Sequence, residues 1–133
     1  MSRPGFLQPP GWPRPSGYSN GVAAQGRQVF IAGQIGWEPG SGRFTSTALA
    51  DQATQALKNV LAVLAEAEGQ PEHIVRMTWY LTSRSEYVAQ LKQIGAAYRE
   101  IMGKHFPAMS AIEVAALIEP LAKVEIEATA VIP

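Results

Sequence analysis

Two carboxylates stand out in the segment Lys123-Val124-Glu125-Ile126-Glu127-Ala128. Apolar and polar residues alternate there, which is the pattern of a half-buried strand. A strand has a side-chain period of two, so Glu125 and Glu127 share one face, and Val124, Ile126, Ala128 and Ala130 share the other. A carboxylate among apolar strands can do general acid-base work, because burial raises its pKa toward neutrality. Periodicity alone favours a plainer reading, in which both glutamates face solvent. The phenol of Tyr18 is a second candidate, able to hydrogen-bond a ligand or a water, or simply to anchor the first strand.

Other chemistries find little support. His73 and His105 stand in no HxxxH or HExxH spacing, so no metal site is expected. The single aspartate, Asp51, falls near a helix start, where the dipole favours a carboxylate. A Ser-His-Asp triad is therefore poorly supported. The chain has no cysteine, which removes thiolate chemistry and disulfides. The glycines form neither a P-loop nor GxGxxG. No cofactor is expected.

The elements that must position these groups can be read in order. Residues 1–16 contain five prolines and read as an extended arm, with residues 17–133 as the folded domain. Trp12 in that arm is expected to pack against the body or a neighbouring copy. Asn20–Ala24 and Gln28–Ala32 read as strands joined through a tight turn at Gly26. Thr47–Glu68 reads as a helix, with Gly69 as its stop. Ile74–Thr82 reads as a strand with Val75, Met77, Trp79 and Leu81 on one face. A second helix, capped by Ser83 or Ser85, runs to about Lys104. Two strands, Phe106–Ala115 and Lys123–Ala128, follow. The expected fold class is α+β: a single mixed sheet in the order β-β-α-β-α-β-β, with two helices on one face.

These segments carry a resemblance. Phe106-Pro-Ala-Met-Ser-Ala-Ile-Glu-Val-Ala115 and Val124-Glu-Ile-Glu-Ala128 resemble the closing motifs of the Rid family, also called YjgF or L-PSP endoribonuclease-like. Tyr18-Ser-Asn-Gly-Val22 resembles the family's opening, Val29–Ile35 its Val-Phe-x-Ser-Gly-Gln-Ile strand, and Gln52–Val60 its first helix. The match runs from about Tyr18 to Val131. It implies a chorismate mutase-like fold, a homotrimer, and small-molecule ligands held in clefts between subunits. It also implies that Glu125 helps to position or activate an attacking water, that Tyr18 lines the cleft, and that the backbone of Ala32 and Gly33 forms its floor. Ala32 lacks the hydroxyl usual at its place. Glu113, also a motif residue, is expected to serve structure or subunit contacts.

The departure that matters is Met109. Family deaminases carry arginine between Ala108 and Ser110, where the guanidinium forks onto the carboxylate of a 2-imino acid. Methionine is apolar and flexible and offers no such bond. Losing one charged hydrogen-bonding partner is worth about 1.5–3 kcal/mol. Ala116 replaces a further common arginine. Phe106, Met109, Ile112 and Leu117, with Trp37, are expected to make the cleft mostly apolar, and Ser110 is expected to bind substrate there. The resemblance then implies an atypical hydrolase or deaminase of an imine, an enamine or a related metabolite. A metabolite-binding trimer without turnover stays open as the alternative.

Composition narrows the field. At 133 residues the chain is about one domain. It is 47% hydrophobic and 17% charged, which agrees mildly with an oligomer. Lysine plus arginine equals aspartate plus glutamate, giving zero net charge. That weighs against nucleic acid as a partner, and so against a nuclease or translation inhibitor. Met1–Pro15 has no apolar core of a signal peptide, and Val60–Ala65 is far too short to span a bilayer. A cytoplasmic location is the expectation.

Overall fold

A computed structural model describes residues 5–133; the first four residues of the expected arm lie outside the described residues. Eight strands and three α-helices follow in the order β1 (Gly5–Leu7), β2 (Gly21–Ala23), β3 (Arg27–Ile35), β4 (Trp37–Glu38), β5 (Arg43–Phe44), α1 (Leu49–Glu66), β6 (Ile74–Leu81), α2 (Arg84–Ala89), α3 (Leu91–Met102), β7 (Ala108–Glu113) and β8 (Val124–Ile132). A single 3-10 turn, Pro71–His73, leads into β6.

The main sheet has the order β3-β8-β6-β7. β8 runs antiparallel to both β3 and β6, and β7 runs parallel to β6, so the sheet is mixed. The helices cover one face. Leu49, Ala53, Ala56, Leu57, Val60 and Leu64 of α1, with Ile94, Tyr98 and Met102 of α3, bury against Met77, Trp79 and Leu81 of β6 and the even-numbered residues 124–130 of β8. The apolar i, i+3, i+4, i+7 spacing on α1 explains why that helix can seat there. The opposite face carries Phe30, Arg76, Tyr80, Glu125, Glu127 and Thr129, all exposed or half-buried. Among the described residues no helix is long and apolar enough to cross a membrane.

Three local expectations are corrected. β2 and β3 do not form a hairpin. β2 pairs antiparallel with β1, a strand inside the proline-rich arm, and β3 pairs with β8. Gly26 is needed for a different reason: a Cβ there would collide with the carbonyl of Ile132. The second helix is broken at Gln90 into α2 and α3, and the Gln90 side chain accepts the Ala50 amide at the start of α1 (2.7 Å). That bond satisfies one of the orphan donors of α1. Finally, a bulge between Ile74 and Arg76 turns Ile74, and not Val75, into the core.

The helix ends also differ in detail. α1 stops at Glu66, and the residue with positive φ after it is Glu68 (φ 62°), not Gly69. Gly69 is required by contact, since a Cβ there would press on the Leu64 side chain. Trp12 is 58% exposed on its own chain. Glu113 accepts the backbone amide of Arg84 (2.6 Å), which helps to cap α2 beside Ser83.

Candidate functional site

The expected site residues fall into two groups on one chain. The first gathers around the start of β7. Ser19 forms an isolated parallel bridge to Ala108, its amide donates to the Pro107 carbonyl (3.0 Å), and its hydroxyl donates to the Phe106 carbonyl (2.5 Å). These bonds pin Tyr18 next to Phe106 and Met109. All three line a cavity of about 540 Å³ roofed by α2 and α3. Phe106 stacks on Tyr98 (centroids 5.4 Å apart, 15° between planes), and the Tyr98 hydroxyl donates to the His105 carbonyl (2.7 Å). Burial pushes the Tyr98 phenol pKa upward. Met109 is half-buried and also packs on the core.

The second group lies on the uncovered face of the sheet. β8 contributes Glu125 and Glu127 there, as the alternation requires, with the core residues 124, 126 and 128 pointing the other way. Ala32 and Gly33 form a bulge in β3: Ile31 pairs with Ala128, and pairing resumes only at Gln34 with Ile126. The bulged pair therefore faces the stretch around Glu127. The carboxylate of Glu125 packs on Gly33, so closely that a Cβ at that position would collide with it. Bulges often mark sites, because they re-aim side chains and free backbone groups. Ala32 also lines a shallow depression of about 420 Å³ with Phe30, Arg76, Thr78, Glu127 and Thr129.

Tyr80 is the neighbour of both glutamates across the β6–β8 ladder. Its hydroxyl donates to Glu127 Oε1 (2.5 Å). That bond, with some desolvation and the nearby charges of Glu127 and Glu125, raises the Tyr80 pKa. Glu127 is thus engaged within the chain. Glu125 is half-buried at the rim of the face.

Register separates the two groups. Met109 is the partner of Met77, a core residue, whereas Ser110 and Ile112 are the partners of Thr78 and Tyr80. Residues opposite one another in a ladder project to the same side. Ser110 and Ile112 therefore stand on the uncovered face with Glu125, and Met109 stands on the helix side with Tyr18 and Phe106. Within one chain Met109, Ile112, Leu117 and Trp37 do not line a common cavity; the cleft expected of them lies between subunits. Leu117 lies elsewhere, in a depression of about 830 Å³ beside Phe44–Thr47, and Trp37 packs on Phe44.

Neither histidine joins either group. His73 Nδ1 accepts the Gln70 amide (2.9 Å), and His105 Nε2 lies 2.6 Å from the Ile74 carbonyl. Among the described residues no cluster of histidine, aspartate and glutamate could hold a metal. Trp79, Gly95 and Arg99 are among the residues lining the 540 Å³ cavity that the sequence did not single out for a site. One signal was available, since Gly95 occupies a helix interior that glycine disfavours.

The comparisons agree with the fold. The family model described as Endoribonuclease L-PSP matches residues 13–132. A 2-iminobutanoate/2-iminopropanoate deaminase of Homo sapiens is 34% identical over 114 residues, covering 86% of this chain and 79% of that protein. A RutC family protein of Pyrococcus horikoshii is 34% identical over 119 residues, covering 89% and 90%. Among solved structures, the Rid family protein YyfB of Yersinia pestis superposes with a TM-score of 0.86 at 33% identity, covering 98% of this chain and 100% of that one. The YjgF gene product of E. coli does so with a TM-score of 0.70 at 32% identity, covering 87% and 88%. With a family match over nearly the whole length and the same mixed sheet under its helices, the chain belongs to the Rid (YjgF, L-PSP) family.

Proposed function

We propose that the chain is a Rid-like deaminase or hydrolase that acts on the C–N or C=N bond of a metabolite other than a standard 2-imino acid. The observation that carries this reading is the placement of Met109. It occupies the cavity wall beside Tyr18 and Phe106, where a family arginine would offer a fork of two charge-assisted bonds. An apolar thioether there favours a substrate whose reacting carbon bears an apolar or aromatic group instead of a carboxylate.

The two half-sites of one chain are complementary in chemistry. One offers an aromatic cavity with a phenol. The other offers a carboxylate, a bulge and a small open floor. In a trimer the Tyr18–Met109 half of one copy meets the Glu125–Gly33 half of the next, and the cleft between them holds the small molecule. Glu125 then takes a proton from water as the water oxygen bonds to the C=N carbon; the C=N π pair goes to nitrogen, which receives the proton, and the carbinolamine releases ammonia to leave a carbonyl, while Tyr18 orients the ligand and the backbone at Ala32 and Gly33 supplies hydrogen bonds to it. Zero net charge weighs against a nuclease.

The test is ammonia release by the pure protein from two substrates, 2-iminobutanoate and an aryl ketimine that lacks the 2-carboxylate. Turnover of the second and not the first is expected, with Glu125→Gln abolishing it while binding persists. Fast release from 2-iminobutanoate overturns the reading. Binding without turnover by both the wild-type protein and Glu125→Gln favours the alternative, a metabolite-binding trimer.

A further inference from the structure

Among the described residues Gly95 is the one glycine inside an α-helix. Glycine weakens a helix interior, because it loses the most freedom on ordering and brings no side chain to pack in return. Elsewhere in this fold the glycines have a reason. A Cβ at Gly33 or Gly36 would collide with Glu125 or Gln52, and Gly103 ends α3 with a φ of 68°. Gly95 meets neither condition. Its φ is not positive, and a Cβ there would meet only Arg99 Nη1 at 3.4 Å, the far end of a flexible side chain. Alanine would fit, and α3 uses alanine at the next two positions, Ala96 and Ala97. The fold alone does not require the missing side chain.

The cavity does account for it. Gly95 is half-buried and lines the 540 Å³ space under α2 and α3. Leu91, Tyr98 and Arg99 stand three or four positions away on the same helix, and all three line that space too. A side chain at position 95 would therefore project into it. Ala111 lines the cavity from β7, on the same side of the strand as Met109. Two different elements thus present little or no side chain to one space, whose other walls include Ile94, Phe106 and Met109. Ligand pockets have this size and this mostly apolar lining.

We infer that Gly95 sets the size limit of this cavity, which takes an uncharged ligand bearing a ring-sized apolar group in the space beside α3. The helix gives up stability at position 95 to keep that space open. Apolar and aromatic side chains of the wall hold the ring by contact and stacking. The same glycine is a specificity residue: a longer side chain there would exclude the ring and still admit a ligand with a short alkyl group. Substitution at 95 therefore has two opposed effects, a more stable helix and a narrower range of ligands.

This deepens the reading above, on which it rests in taking the cavity as a ligand site. Its test is binding and needs no turnover, so either claim can fail alone. The probes are two uncharged ketones, the product class of the proposed reaction: 1-phenylpropan-2-one and butan-2-one, titrated into the full chain. The readout is the methyl resonance of Met109, one of four methionines in the chain, assigned by its loss in Met109→Leu. The wild-type protein should bind the phenyl ketone about 10- to 100-fold more tightly than butanone, the worth of burying a ring. Gly95→Leu should bring the two within about 2-fold of each other by weakening the phenyl ketone alone. Gly95→Ala should lower the ratio by about 3- to 5-fold, the worth of one methyl group of space. Both variants should raise the urea midpoint, since alanine and leucine are better helix formers than glycine. Equal affinity for the two ketones in the wild-type protein, an undiminished ratio in Gly95→Leu, or a lower urea midpoint in either variant each overturns the inference.

Discussion

The Glu125 side chain fills the space that a Cβ at Gly33 would need, at the bulge where β3 leaves register with β8. A side chain at position 33 meets the flexible end of Glu125, and that end can swing away at little cost. Gly33→Ala should therefore change stability by less than about 1 kcal/mol, helped by the lower chain entropy of the unfolded state. It should nevertheless remove most of any activity that depends on Glu125. Thermal unfolding measured alongside turnover checks this. A large loss of stability with activity intact would show that the contact serves packing only.

Met109→Arg places a guanidinium in the cavity beside Tyr18. The half-buried site lets a long side chain keep its stem on apolar surface and its head toward the opening. Turnover of 2-iminobutanoate should rise by about 10-fold or more, the rate equivalent of one charge-assisted bond. Steady-state ammonia release measures it. No gain would mean that the arginine is not the sole element missing for 2-imino acids.

Glu68 holds a left-handed backbone (φ 62°) just past the end of α1. An L-residue there costs roughly 1–2 kcal/mol, and glycine avoids that cost while losing some unfolded-state advantage. Glu68→Gly should stabilise the protein by about 0.5–1 kcal/mol. Urea denaturation gives the answer, with an unchanged or lowered midpoint counting against it.

Burial raises the Tyr98 pKa above its ordinary value. In the unfolded chain the phenol ionises near pH ~10, while in the folded chain it keeps its proton. Above that pH the unfolded state binds fewer protons, so stability falls as pH rises, at up to about 1.4 kcal/mol per pH unit for this group. Tyr98→Phe should cost about 1 kcal/mol at neutral pH, through the lost bond to the His105 carbonyl. It should also flatten the alkaline slope. Urea midpoints taken between about pH 8 and pH 11 test both parts, and an equal slope in the two proteins would refute the assignment.

Much of the fold was legible because periodicity reports faces. α1, β6, β7 and β8 all appear near their expected places, and the core side of β8 is the one that alternation predicts. Pairing partners were not legible, because alternation is silent on which strand lies next door. So β2 was expected beside β3, and it lies beside β1. The break at Gln90 carries neither glycine nor proline; it depends on a bond to Ala50, forty residues earlier. The site was legible in parts. Tyr18, Phe106 and Met109 do meet, but Met109 and Ser110 are adjacent in a strand and must point to opposite sides. Whether they share a cleft therefore depends on how two copies meet, which strand alternation does not report. Arg99 and Trp79 were missed because their place in the cavity depends on how α2 and α3 roof β6 and β7.

β8 lies between β3 and β6, yet it is the last strand of the chain. Until it has left the ribosome, β3 has no neighbour in the main sheet and β6 has only β7. The main sheet thus closes only once β8 has emerged, after every other strand of that sheet. A nascent chain cut short before residue 124 should be a client for chaperones or proteases, with no smaller version of the same fold available to it.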